Sequence, residues 1–270
     1  IVGSGGIAGS HAQGYAANNC EIIAVTDANK EVAEKFAQEH GGKVYADYKE
    51  LIDQAKPDLI SICTPPAFHE EAAVYALRKG VNVLCEKPMA FDIPSAYRIR
   101  DAVKASSAKF MPAHRHRFLP ANQKLKEIIS SGKIGNVVLF NNIFCGPNFA
   151  MEQRWFTKKE IAGGGCILDT NAHSIDLFRF LVGEVCEQKA VMHRHFKTTN
   201  VEDAGMLMVK AENGALGVME SGFAVGAGAA FIDIIGSNGR VIYDYIEGDK
   251  VKYLIMGEDD WKIEPVEVSW

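Results

Sequence analysis

Val81-Asn82-Val83-Leu84-Cys85-Glu86-Lys87-Pro88 is an apolar run that ends on an acid, a lysine and a proline. Its length and valine content suit a buried strand, and Pro88, which lacks an N–H, ends the pairing and biases Lys87 toward extended backbone. The lysine therefore stands where a parallel strand opens into a loop, the edge at which open α/β sheets place ligands. A solvated strand-end lysine is the plain alternative. Upstream, Glu21–Thr26 and Leu59–Cys63 are apolar runs of the same kind, and helical patterns fill the gaps at Ala8–Asn18, Glu31–Glu39 and His69–Arg78. Such alternation predicts a doubly wound parallel sheet. Ile93–Ser106 continues it as helix and Lys109–Pro112 as strand, and the stretch from Pro112 to Pro120 then breaks the pattern. A boundary is expected there, with a first domain over 1–113 and a second over 114–270.

Beyond the break the chain changes character. After a helix near Asn122–Ser131, the strand candidates are Val137–Phe144, Gly205–Lys210, Leu216–Gly222, Phe231–Ile235 and Arg240–Tyr245. Asn213-Gly214 and Asn238-Gly239 are hairpin turn pairs, so this half is expected to be an α+β domain with an open, mainly antiparallel sheet. One helix, from about Cys166 to Leu181, interrupts it.

With 270 residues, 47% of them hydrophobic and 23% charged, the chain can bury a large core. A net charge of -5 without a long basic run gives no footprint for nucleic acid or an anionic membrane, and small-molecule partners are expected instead. The six cysteines are scattered, with no C-x-x-C pair, and fit reduced thiols in a cytoplasmic protein. No run of about 18 apolar residues is present to span a bilayer. Ile1-Val2 is only the tail of a strand before Gly3, so residues upstream are expected to be missing from the sequence as given, a cleaved targeting signal among the options.

Gly3-Ser4-Gly5-Gly6-Ile7-Ala8 fits the pattern G-x-G-x-x-A between a strand remnant and a helix. Its glycines permit a tight turn and let backbone approach a pyrophosphate seated on the helix N-terminus. A plain turn is the alternative. Asp27 ends the second strand about 20 residues on, where a carboxylate accepts hydrogen bonds from the adenosine ribose. The same charge would repel a ribose phosphate, which favours NAD over NADP, with nearby Lys30 the one contrary sign. Thr64-Pro65-Pro66 follows another strand at the same edge, and its prolines hold a stiff apolar surface for a nicotinamide or its ribose. His69, just inside the next helix, is read equally as a cofactor contact or as a capping or solvated residue.

Gly163-Gly164-Gly165 leads into Cys166-Ile167-Leu168-Asp169-Thr170-Asn171-Ala172-His173-Ser174-Ile175-Asp176. Asp169 and His173, four apart, share one helix face with Asp176, beside an apolar stripe of Leu168, Ile175, Phe178 and Val182. The plain alternative makes Asp169 a helix cap and His173 a satisfied interface histidine. Metal is not expected, because neither cysteine pairing nor a third histidine at ligand spacing supports it.

Taken together, G-x-G-x-x-A, Asp27, Thr64-Pro65, Glu86-Lys87-Pro88, and Gly163-Gly164-Gly165 through Asp169 and His173 resemble the Gfo/Idh/MocA oxidoreductases. The resemblance runs through nearly the whole chain, including Glu202-Asp203 and Glu212-Asn213-Gly214-Ala215. It implies an N-terminal Rossmann domain, a C-terminal α/β domain with an open sheet, and NAD(P)-dependent oxidation or reduction of sugars, cyclitols or related polyols. It also implies homodimers or homotetramers packed through that sheet. By position, Lys87 would orient the substrate hydroxyl and the nicotinamide, with Glu86 beside it, and Gly3, Gly5, Gly6, Ile7, Ala8, Asp27, Thr64, Pro65 and His69 would line the cofactor. His173 would be the general acid/base and Asp169 its orienting partner, with Lys87 as the alternative proton acceptor. His114 and Arg115, at the domain junction, and Arg154 with Trp155 are candidate substrate contacts. Family members continue past the point where this chain stops at Trp270, so a C-terminal segment is expected to be absent. NAD-dependent glycoside cleavage by transient oxidation and non-catalytic sensing of a dinucleotide or sugar are the competing functions.

Overall fold

The computed structural model describes residues 1–148 and 154–268. These divide into two units: Ile1–Ala113 with Glu160–Gly163, and His114–Lys159 with Gly164–Trp270. Each has its own hydrophobic core.

In the first unit, Gly6–Ala17 (α1), Ala24–Val25 (β1), Lys30–His40 (α2), Lys43–Val44 (β2), Tyr48–Ala55 (α3), Leu59–Ile62 (β3), His69–Arg78 (α4), Asn82–Cys85 (β4), Ile93–Lys104 (α5) and Phe110–Pro112 (β5) follow in order. β1 pairs with β2, and β3, β4 and β5 pair in that order, all in parallel. Val2 bridges Thr26 on one side and Ile62 on the other, which joins the two groups of strands through a stub at the sheet centre. The direction of winding reverses at that stub, the topological switch point where α/β folds bind ligands. The chain alternates as its sequence implies because the central strands bury apolar side chains under helices: Ile60, Ile62, Val83 and Cys85 are fully buried against Leu51, Ala73, Leu77 and Ile99 of the covering helices. The expected strand Glu21–Thr26 is shorter than its apolar run, since Ile23 is exposed and only Ala24 to Thr26 pair. The helices start on side-chain caps: Asp47 accepts from the N–H groups of Lys49 and Glu50, and Asp92 from Ser95.

The second unit contains Pro120–Ser130 (α6), Val137–Cys145 (β6), Cys166–Asp169 (α8), Asn171–Leu181 (α9), Val185–His193 (β7), Ala204–Ala211 (β8), Leu216–Gly222 (β9), Ala229–Gly236 (β10), Gly239–Asp244 (β11), Lys250–Ile255 (β12) and Lys262–Pro265 (β13); a single turn of helix, Lys159–Ala162 (α7), precedes α8 in the chain and is counted, from Glu160 on, with the first unit. Eight strands form one sheet in the order β13-β12-β11-β10-β6-β9-β8-β7. Every neighbouring pair is antiparallel except β6 with β9, which is parallel. One face carries Phe140, Leu207, Val209, Met219, Ile232, Ile234 and Val241, buried under Leu125 and Ile128 of α6 and Leu177, Phe178 and Leu181 of α9. The other face is open. The single helix expected over Cys166–Leu181 is two segments meeting at Thr170, whose backbone keeps helical angles (φ -83°, ψ -45°). β2, β7, β12 and β13 are strands beyond those the pattern predicts.

Candidate active site

The glycine loop leaves Val2 at the carboxyl edge of the parallel sheet. Gly3 has φ +86°, and a Cβ there would stand 2.8 Å from the backbone nitrogen of Thr64, so the close approach of the two loops admits only glycine. Gly5, Gly6 and Ile7, at the start of α1, are exposed, and no side chain caps the helix. Its first N–H groups and positive dipole end therefore face outward, ready for an anion. Asp27 sits beside them: Oδ2 accepts from Ser4 N at 2.7 Å and Oδ1 from Asn29 N at 2.9 Å. Each oxygen keeps acceptor capacity for a ligand hydroxyl. The buried hydroxyls of Ser4 and Thr64 have no hydrogen-bond partner among the described residues, which leaves polar atoms in the same loops for a ligand to satisfy. Open helix N–H groups, an acceptor carboxylate and orphaned hydroxyls fit a dinucleotide.

Two residues of this edge serve the protein first. His69 is fully buried, with Nδ1 2.9 Å from Pro88 O and Nε2 2.7 Å from Thr64 O, so its imidazole joins the loop after β3 to the loop after β4. A solvated role does not fit that burial, which comes from the packing of α4 on the sheet. Glu86, half-buried at the end of β4, has both oxygens engaged: Oε1 lies 3.0 Å from His11 Nε2, and Oε2 accepts from Lys87 N at 3.0 Å. Lys87 is half-buried and precedes a cis peptide to Pro88.

In the second unit Asp169 ends α8 and His173 lies in the first turn of α9. α8 is fixed at its start by Glu202: Cys166 N donates to Glu202 O at 3.0 Å, and Ile167 N to Glu202 Oε1 at 3.1 Å. A Cβ on Gly165 would fall 1.7 Å from Glu202 O, which explains the glycine before the helix. The imidazole of His173 stacks on that of His116, with centroids 4.1 Å apart and planes 17° from parallel. His116 is buried in the short turn Arg115–Phe118, edge-on to Phe144. Asn122 Nδ2 donates to His116 O at 2.7 Å, and Asn122 Oδ1 accepts from Tyr245 Oη at 2.7 Å. Next in the turn, Arg117 forms a bidentate pair with Asp176, at 2.7 Å (Nε to Oδ2) and 2.6 Å (Nη2 to Oδ1). Asp176 is 4% exposed, one turn beyond His173, so the pair clips the turn to α9 where the two rings stack.

Of the other candidates, His114 is half-buried just before this turn and Arg115 is exposed. Arg154 is exposed, its guanidinium 5.0 Å from the centre of the Phe156 ring, on which Trp155 stacks at 3.8 Å. Among the described residues no group of three or more His, Cys, Asp or Glu is placed to hold a metal ion. Sequence reasoning missed His11 and His116. The signal for His11 is weak, a histidine one turn past the glycines among small residues; His116 lies in a run of histidines and arginines that pattern alone does not sort.

Residues 1–114 match the family model described as an oxidoreductase family with NAD-binding Rossmann fold, and residues 122–242 the GFO/IDH/MocA C-terminal domain. D-glucoside 3-dehydrogenase of Escherichia coli K12 is 28% identical over 248 residues, 83% of this chain and 70% of that protein. Inositol 2-dehydrogenase of Rubrobacter xylanophilus is 26% identical over 265 residues, 93% of this chain and 72% of that protein. Among solved structures, a levoglucosan dehydrogenase in complex with NADH superposes with a TM-score of 0.92 at 27% identity, over 98% of this chain and 78% of that one. With both halves matched in order, and the glycine loop, Asp27 and Lys87 at the edge of a parallel sheet, the chain belongs to the GFO/IDH/MocA oxidoreductases, and its first unit is an NAD-binding Rossmann domain.

Proposed function

We propose that this chain is an NAD-dependent dehydrogenase that oxidises a secondary hydroxyl of a sugar, sugar derivative or cyclitol, with Lys87, Asp169 and His173 as its catalytic residues. The observation that carries the reading is Lys87 at the open end of β4, on the edge that also bears the glycine loop and Asp27. The relatives named above, which act on glucosides and inositol, support the substrate class. Bound NAD supplies the hydride acceptor. The protein has three tasks: to orient the carbinol, to take its proton and to hold the base in register. Lys87 donates hydrogen bonds to the substrate oxygen, and its positive charge favours the developing alkoxide. His173 takes the hydroxyl proton as general base, a task suited to an imidazole. Asp169, four residues earlier, orients the substrate or the imidazole. Asp27 accepts from the adenosine ribose and disfavours the 2′-phosphate of NADP. His114, Arg115, Arg154 and Trp155 supply polar and stacking surface for the sugar.

Two finer assignments accompany this. The scattered thiols, with Cys63 pushed up to about 12 by burial, fit a reducing cytoplasm. Homo-oligomers form through the open face of the eight-stranded sheet, where Val191, Met206, Met208 and Leu216 are 68%, 50%, 46% and 50% exposed while Leu207 and Val209 point into the core. Light scattering of the wild type and of Met206→Glu/Met208→Lys tests this: a wild-type dimer or tetramer and a monomeric variant are expected, and a monomeric wild type refutes it.

The enzymatic test is NADH formation over a panel of sugars and cyclitols, with NADP alongside and His173→Ala as control. Turnover with NAD is expected, reduced about 10²- to 10⁴-fold in the variant, the usual share of general acid–base catalysis. Tight NAD binding without turnover on any substrate would overturn the reading.

A further inference from the structure

We infer that His11 is a positioning residue for Lys87, acting through Glu86. The inference rests on the reading above that Lys87 works on the substrate. The two side chains that carry it are nearly closed off from solvent, His11 8% and Glu86 14% exposed. They stand on different elements, His11 on α1 and Glu86 at the end of β4.

The protons in this network can be assigned. An ionised carboxylate only accepts, so the His11 proton lies on Nε2 and points at Glu86 Oε1, 3.0 Å away. Nδ1 is then an acceptor, and the Ser61 hydroxyl, 3.1 Å away on β3, donates to it. Ser61 Oγ in turn accepts from the Tyr15 hydroxyl. Tyr15 is one helical turn beyond His11 on α1, and the two rings meet edge to face at 6.5 Å. Every donor in the row Tyr15, Ser61, His11 points the same way, toward Glu86. The other carboxylate oxygen accepts the backbone N–H of Lys87. Glu86 is thus a strut between α1 and the loop that carries the lysine, and its negative charge is fixed beside that ammonium.

The electrostatics around Glu86 agree with this role. Burial works against its charge; the hydrogen bond from His11, the Lys87 N–H and the Lys87 ammonium outweigh it, and the carboxyl is held below its usual range. The two thiols facing it are neutral. Burial pushes the Cys63 thiol up to about 12 and the Cys85 thiol higher still, and holds the His69 imidazolium below its ordinary range. Loss of the His11 donor frees the carboxylate to leave Lys87, whose ammonium then loses a fixed counter-charge.

Competitive acetylation by acetic anhydride at pH 8, read peptide by peptide by mass spectrometry on the whole chain, tests this without turnover. Wild type is compared with His11→Gln, which keeps an N–H donor, and His11→Leu, which does not. Acetylation of Lys87 is expected to rise about threefold in His11→Leu, the effect of half a pKa unit, and to stay at the wild-type rate in His11→Gln. Exposed Lys35 serves as the internal reference. In turnover assays, His11→Leu lowers kcat with little change in KM for NAD. Unchanged Lys87 reactivity in His11→Leu, equal changes in both variants, or a rise shared by every lysine would each overturn the positioning role. A wild type that turns over no sugar but shows the expected labelling would sink the dehydrogenase reading and leave this one standing.

Discussion

In the first unit, Lys87 hangs on a loop whose flanks are tied by imidazoles: His11 holds Glu86 on one side, and His69 holds Pro88 O on the other. In the second, His173 is held by a ring stack on His116 and by the Arg117–Asp176 pair one helical turn away. The difference follows from what each residue stands on. A strand-end loop has spare backbone N–H and C=O groups, and buried donors and acceptors must find partners, so polar struts grow there. A helix has already satisfied its own backbone, so a residue on it can be fixed only through side-chain packing or charge. A polar strut responds to protonation, and a packed clip responds to truncation. Each anchor can be broken separately.

The largest effect is expected at the clip. Arg117→Met keeps a side chain of similar length but removes the guanidinium from the Phe180 ring and leaves the buried Asp176 carboxylate without its counter-charge. An unpaired buried carboxylate costs about 3 kcal/mol, the low end of the range because the guanidinium is 36% exposed and partly screened. Urea unfolding measures that loss, and turnover should fall with it, because the turn carrying His116 is released from α9. Adding Asp176→Leu should recover most of the stability by removing the stranded charge. A single variant as stable and as active as wild type would mean that the Arg117–Asp176 pair does not hold His173 in place.

The same contrast explains what was legible in the sequence. The parallel sheet was, because Leu59–Ile62 and Asn82–Cys85 are short, mostly apolar runs and α4 spans the residues its pattern predicts. Leu216–Gly222 likewise has the bounds expected, between a turn pair and a break. β7 was hidden, since Cys186-Glu187-Gln188-Lys189 at a sheet edge carries no apolar alternation. β12 does alternate, Lys250-Val251-Lys252-Tyr253, but it is short and follows an acidic turn. The parallel pairing of β6 with β9 cannot be read locally, because it depends on the long excursion between them. At the site, Asp27, Lys87, Asp169 and His173 stand out as polar groups at element ends. Their supports do not: the partners of His11 and Arg117 are 75 and 59 residues away in sequence, and only folding brings them together.

The smallest effect is expected at the polar strut, where pH should reveal it. His69 is buried between Thr64 O and Pro88 O, and burial outweighs both carbonyls and the Glu86 charge in holding its imidazolium below the ordinary range. As pH falls through about 6.5 the unfolded chain takes up the proton first, and stability falls from there toward the lower folded pKa. The contribution is fully present above that window. Urea midpoints between pH 7 and 5.5 should therefore fall more steeply for wild type than for His69→Gln, by no more than roughly 1.4 kcal/mol per pH unit, the slope of one proton. The variant starts less stable, because a flexible amide bridges the two loops less well than a ring. If the two slopes match, the imidazole is already charged in the fold and donates to both carbonyls at once, and the loop carrying Lys87 is clamped by a buried cation.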